Sequence, residues 1–174
     1  RGNAVLPSII SQFEGYPAAA SAWDSDLLPA RIKDYSPSWL DELCRSGKLV
    51  WTRLSARQKQ SSSALRSTPI VLLPRTQVAL WSSLTEQTPP SELSPKTQKV
   101  HKALSEHGAL FFDELLHEAH LLRSELEIAL QELVGAGLVN ADSFAGLRAL
   151  ITPASKSQAR SSRRGRGAFV GGMD

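Results

Sequence analysis

The 174-residue sequence holds a single cysteine, Cys44, and a single methionine. One thiol excludes an internal disulfide and leaves too little sulfur for a zinc site. No apolar run approaches the roughly 18 residues that a membrane span requires, and no signal peptide is visible; a reducing, cytoplasmic setting is the default expectation. Several catalytic spacings are missing as well. The serine run Ser61-Ser62-Ser63 lies outside any Gly-x-Ser-x-Gly elbow, no His-Glu-x-x-His pair occurs, and no Gly-x-x-x-x-Gly-Lys-Ser/Thr loop is present to cradle phosphates. His101, His107, His117 and His120 invite a metal, with Asp113 and Glu114 one turn before His117. A third strong ligand is not fixed near them, so they read as surface histidines on an acidic helix, and no metal is expected. Paired carboxylates, Asp24 with Asp26 and Asp41 with Glu42, lack a partnered pocket signal and fit helix termini and salt bridges better. No active site is nominated.

What is present is enough to fold. Apolar residues make up 41% and charged residues 21%, a globular composition for one domain or two small ones. The chain begins without methionine and ends in a glycine-rich stretch, which reads as a piece of a longer protein. The net charge of +3 is unevenly spread. Arg1 to Arg75 holds ten basic and six acidic residues, net +4; Thr76 to Thr152 holds five and ten, net −5; Pro153 to Asp174 holds five and one, net +4. A polyphosphate is attracted to both flanks and repelled by the centre.

Helix and strand signals divide the chain at 2–75 and 94–152, joined by a connecting segment over 76–93 and followed by a basic, flexible tail over 153–174. In the first unit Asn3 can cap a helix whose face is Leu6, Ile9, Ile10 and Phe13. Pro17 opens a second helix running to about Leu27. Ser36-Pro37 starts a third, ended by Gly47. Apolar strands follow at 48–54 and 68–74, separated by a polar, serine-rich loop over 55–67 that is expected to lack order of its own. Alternation sets Trp51 on the face of Leu49, so it reads as core ahead of a stacking platform.

In the second unit Ser94-Pro95 starts a helix ended by Gly108. Ala109-Leu110-Phe111 reads as a short strand, and a helix runs from Asp113 to His120. Ser124 and Glu127 form a capping box for another helix, which Gly137 stops. Phe144 to Ile151 reads as a returning strand. Three helices and a hairpin, twice over, give a mainly helical α+β class built of tandem winged-helix units. Leu43, Val50, Ile70, Leu72, Leu104, Phe111, Leu126, Leu130 and Val139 are expected in the two cores, which should meet near Trp81.

The sharpest local signal is the acid-free run from Arg45 to Arg75. Arg45, Lys48, Arg53, Arg57, Lys59 and Arg66 surround the predicted wing and suit contact with phosphates. In the second unit the exposed face of the last long helix carries Glu125, Glu127, Gln131 and Glu132, which disfavours DNA. Arg148, after the expected second wing turn, is the basic group there with reach. The seven residues named are the expected DNA contacts.

A family resemblance joins these observations. Ala20-Ser21-Ala22-Trp23, Leu28-Pro29-Ala30-Arg31, Asp34-Tyr35, Trp39-Leu40-Asp41, Leu43-Cys44, Ser46-Gly47 and Trp51 resemble the C-terminal region of the large helicase-related (Lhr) superfamily 2 helicases. So do Phe111-Phe112, Glu125-Leu126-Glu127, Ala129-Leu130, Leu133-Val134, 136–139 and 144–148. Members carry an ATPase core followed by tandem winged helices similar to the AlkZ-type DNA glycosylases. The resemblance implies a DNA-binding or scaffolding module of an ATP-dependent DNA repair helicase, with ATP and magnesium bound by the parent chain and no cofactor here. Its implied partners are single- or double-stranded DNA, neighbouring domains and a second copy of the chain, with no membrane. It implies a bacterial, nucleoid-associated setting. The motor motifs are absent, as is the Gln-x-Asp or Gln-x-Gln pair of the AlkZ-type enzymes, so neither catalytic site transfers to these residues. Scaffolding without DNA contact is the alternative, and part of a winged-helix glycosylase the third.

Overall fold

A computed structural model of the chain describes residues 2–54, 62–84 and 92–152. Helix α1 (Gly2–Gln12) buries Leu6, Ile9 and Ile10 at helical spacing. Gly15, at φ +75°, turns the chain out of it. Strand β1 (Ala18–Ala19) follows, then a π-helical turn over Trp23–Leu27 that buries Trp23. Helix α2 (Pro37–Arg45) begins at Ser36-Pro37 and buries Leu40, Asp41 and Cys44. Gly47, at φ +70°, lets the Lys48 N–H return to the Leu43 carbonyl at 3.2 Å and starts β2 (Leu49–Thr52). A short 3-10 helix (Ser62–Ser67) leads to β3 (Pro69–Pro74), and another (Arg75–Gln77) leads to α3 (Val78–Ser83). The sheet is antiparallel in the order β1-β3-β2, with Leu49 opposite Pro74 and Ala18 opposite Ile70. Four helices complete the described chain: α4 (Pro95–His107), α5 (Phe112–Ala119), α6 (Arg123–Gly135) and α7 (Phe144–Ile151).

Four expected elements differ. The helix from Pro17 to Leu27 is a strand and a π-helical turn. Its alanines favour helix by only tenths of a kcal/mol, roughly, per residue. The free edge of β3 outweighs that preference: Ala20 N–H donates to the Thr68 carbonyl at 2.9 Å and Ser21 N–H to Arg66 at 3.2 Å. Ala109 to Phe111 is not a strand, because no strand is present beside it among the described residues. Phe111 instead precedes α5, its N–H donated to the Glu114 carboxylate at 2.8 Å. The cap of α6 lies two residues earlier than Ser124: Leu122 N–H donates to Glu125 at 2.9 Å. Phe144 to Ile151 is a helix, capped by Ser143, whose hydroxyl accepts from Gly146 N–H at 3.4 Å. The second unit therefore has no wing among the described residues; the mainly helical α+β class and the wing of the first unit stand.

Two hydrophobic clusters hold these elements. The first joins Leu6, Ile10, Trp23, Leu40, Trp51 and Ile70 with Val134 of α6 and Phe144 and Leu147 of α7. The second joins Leu93, Val100, Leu115, Leu126, Ala129 and Leu133. Helix α6 feeds both clusters, and α7 belongs to the first although it follows the second in sequence. Of the expected core, Val50, Ile70, Leu72 and Leu126 are buried, and Leu43, Leu104, Leu130 and Val139 are half-buried. Phe111 is the exception at 79% exposed, because as the residue before α5 it points away from the helix's buried face. Of the loop over 55–67 expected to lack order, residues 62–67 instead form a 3-10 helix, held by the burial of Leu65 in the first cluster, and residues 55–61, like the tail over 153–174, lie outside the described residues.

Gly137 fixes where the wing meets α6. Its φ is +73°, and a Cβ there would stand 3.0 Å from the Arg53 carbonyl oxygen. Gly137→Ala should cost about 1–2 kcal/mol from the left-handed backbone alone. Chemical denaturation of the two proteins measures it, and an unchanged midpoint would refute the close approach.

Candidate nucleic-acid interface

The expected DNA contacts fall into separate places. Lys48 and Arg75 flank the β2–β3 ladder at one end of the sheet, where Arg75 N–H donates to the Lys48 carbonyl at 3.1 Å. Arg45 closes α2 three residues before Lys48, and all three side chains are exposed. Arg53 and Arg66 lie at the opposite, wing end; five residues of extended chain separate Lys48 from Arg53, about 16 Å. Arg57 and Lys59 lie outside the described residues.

Arg53 does not project freely into solvent. Its guanidinium donates to the Gly135 carbonyl at the end of α6, and burial pulls its pKa below the ordinary value. A cation at a helix C-terminus satisfies an otherwise unpaired carbonyl and the helix dipole. Arg53 thus ties the base of the wing to α6, and among the described residues Arg66 is the exposed wing-end member of the set.

Arg148 is also engaged, and it lies on a helix instead of beside a wing turn. From α7 its Nε donates to Asp24 at 2.7 Å and its Nη1 to Asp41 at 3.1 Å. Tyr35 donates its hydroxyl to the other oxygen of Asp24 at 2.6 Å. Burial and that carboxylate push the Tyr35 phenol well above its usual pKa. The Arg148 guanidinium loses hydration by burial but is held above its ordinary pKa by the two carboxylates. This cluster joins the π-helical turn, α2 and α7. Local sequence signals could not find it, because Arg148 lies 124 and 107 residues from its partners.

Three glutamates of α6 are engaged within the second unit. Glu132 accepts from Ser94 N–H at 2.9 Å, from the Ser94 hydroxyl at 2.7 Å and from the Thr97 hydroxyl. Burial raises its pKa, but these bonds hold it lower than usual. Glu125 pairs with Lys96 at 2.6 Å, and Glu127 with Arg123 at 3.4 Å. Gln131 donates to the Leu150 carbonyl at 3.0 Å. The C-terminal half of α6 packs against the 3-10 helix at Ser62–Ser67 and against α7. That half is therefore covered, while Arg123, Ser124 and Ile128 toward the start of α6 stay exposed. Among the described residues no three histidine, cysteine or acidic side chains converge as a metal site; His107 pairs with Glu118 at 3.6 Å.

A helical unit closed by an antiparallel hairpin, with basic groups at both ends of that hairpin, defines a winged-helix domain. Residues 1–75 match the family described as "Large helicase-related protein, winged-helix domain". Two curated relatives extend the similarity across the chain. The "Lhr helicase/uracil glycosylase" of Escherichia coli K12 is 32% identical over 162 residues, 90% of this chain. The "Lhr helicase/ probable uracil glycosylase" of Mycolicibacterium smegmatis is 30% identical over 165 residues, 91% of this chain. This chain carries the winged-helix domain of the large helicase-related, or Lhr, helicase family. It spans about a tenth of the length of each of the two relatives. No helix among the described residues is long and apolar enough to cross a membrane.

Proposed function

We propose that this chain is a DNA-binding module of an Lhr-type DNA repair helicase, with catalysis elsewhere in the parent protein. The observation that carries this reading is the exposure of Arg45, Lys48, Arg66 and Arg75 around the hairpin, with no carboxylate partner among the described residues. By contrast, Glu125, Glu127 and Glu132 of the second unit are paired within it. The relatives' names attach helicase and uracil-glycosylase activity to those proteins. In the parent of this chain, ATP and magnesium would serve the motor, for which this sequence has no phosphate loop. The site of action would be the nucleoid in the cytoplasm.

The test is fluorescence anisotropy of the chain with labelled single- and double-stranded oligonucleotides across a salt series. Binding should weaken steeply with salt. Replacing Arg57, Lys59 and Arg66 together by glutamine should lower affinity for all sequences. It should also reduce the salt slope on duplex by about 0.9 for each phosphate no longer neutralised. Absence of salt-dependent binding to any DNA would sink the proposal.

A second reading is a scaffold that joins neighbouring domains or copies of the chain. It is favoured by exposed Phe111, Leu122 and Ile128 on the second unit, at 79%, 69% and 54%. Sedimentation velocity tests self-association; a monomer at all concentrations removes that form of it.

A further inference from the structure

We infer that the Pro74 end of the sheet is a binding surface for single-stranded DNA, with Arg45, Lys48 and Arg75 on the phosphates and Tyr16 as a stacking platform for a base. This inference rests on the DNA-binding reading and names the strand type and the surface.

The placement follows from the sheet. Arg75 leaves the central strand β3, opposite Lys48 on one side. On the other side β1 runs antiparallel to β3 with Ala18 opposite Ile70, so the chain preceding β1 runs back toward Pro74 and carries Tyr16 with it. Helix α3 then closes the arrangement. Trp81 lies against Gly15, where any side chain would fall inside the indole ring, and its Nε1 donates to Glu14 at 3.2 Å. Arg75 and Trp81 are six helical residues apart, roughly 10 Å. Tyr16 is held by Phe13, ring centroids 5.8 Å apart, yet stays 53% exposed.

Exposed positive groups and an exposed aromatic ring toward one end of a sheet are what an unpaired strand uses. Its bases are free to stack, whereas those of a duplex are already stacked on each other. Lys48 and Arg75 have no carboxylate partner among the described residues. Two exposed carboxylates border the positive field: Glu42, one turn before Arg45, and Glu14, two residues before Tyr16, whose Oε1 accepts from the Trp81 indole while its charge remains. The end of the sheet differs from the wing end in this respect, because Arg53 there is bound to α6.

The experiment measures anisotropy of a labelled oligothymidylate and of a duplex of equal length, with the whole chain and three variants. Tyr16→Ala should weaken oligothymidylate binding about tenfold, the loss of one stacked base, and leave the duplex unchanged. Tyr16→Phe should restore binding to the parent value. Lys48→Gln with Arg75→Gln, both on exposed side chains, should lower the single-strand salt slope by about 1.4, or 0.7 for each phosphate no longer neutralised. Equal oligothymidylate affinity for parent, Tyr16→Ala and the double variant would overturn the inference. If only the Arg57, Lys59 and Arg66 variant then loses binding, the DNA-binding function stands and this surface falls. A chain that binds neither oligonucleotide overturns both.

Discussion

Arg148→Ala should lower the stability of the chain by about 3 kcal/mol, the cost expected when a buried ion pair loses one partner. The Asp41 side chain is 9% exposed and that of Asp24 17%, so Asp41 depends on Arg148, and Asp24 on Arg148 and the Tyr35 hydroxyl, for the interactions they lost with water. Removing the cation leaves two negative groups facing each other across α2 and the π-helical turn. Arg148 itself is 31% exposed, which places the expected loss at the low end of the range for buried pairs. It also lies over the Phe144 ring at 5.5 Å, so truncation removes packing as well as charge. Adding Asp24→Asn and Asp41→Asn to Arg148→Met should recover much of the loss, since no unpaired charge then remains. Chemical denaturation decides the matter: a loss under about 1 kcal/mol would mean the cluster is solvated and not a tie. For a folded Arg148 variant the salt slope on DNA should stay at the parent value, because the guanidinium is directed at carboxylates and not at phosphates.

The elements legible in the sequence are those fixed by local chemistry. Ser36-Pro37 and Ser94-Pro95 announce helices because the preset φ of proline suits the first helical position, and at Ser94 the hydroxyl also accepts from Thr97 N–H at 3.4 Å. Gly47, Gly108 and Gly137 mark ends because each adopts a positive φ. Long-range pairing explains the misses. Ala18 and Ala19 pair with β3, about fifty residues away in sequence, and nothing local announces it. Phe144 to Ile151 is readable as a helix, since Ser143 caps it and Phe144, Leu147 and Ile151 have helical spacing; the expectation of a second wing obscures that signal.

The candidate interface shows the same division. Counting charges finds the basic hairpin but does not distinguish the charges that are already engaged. Arg53 is bound to a carbonyl 82 residues away. Arg148 is bound to acids that belong to the net-positive first unit.

Phe144→Ala should be the most damaging single truncation of α7, costing about 3–5 kcal/mol. Phe144 is fully buried, as is Leu147 one turn on, in the cluster that also contains Trp51 and Val134. The start of α7 is held from the other side by the Trp51 indole, which donates to the Ser143 carbonyl at 3.1 Å. Cys44 lies under the same contact: it is 5% exposed, and burial with the neighbouring Asp41 carboxylate pushes its thiol up to about 12. A thiol in that state reacts slowly, because the thiolate is the nucleophile. Loss of the Phe144 ring should therefore appear twice, as a lower denaturation midpoint and as faster labelling of Cys44 by a chromogenic disulfide reagent. The two readouts separate mechanisms. Faster labelling well below the denaturation midpoint means α7 lifts from the first cluster before the chain unfolds. Labelling that tracks global unfolding means that α6, which contributes Val134 to the first cluster and Leu126 to the second, couples the two cores into one cooperative body. Parent-like stability and a protected thiol in Phe144→Ala would show that α7 is not part of the first core.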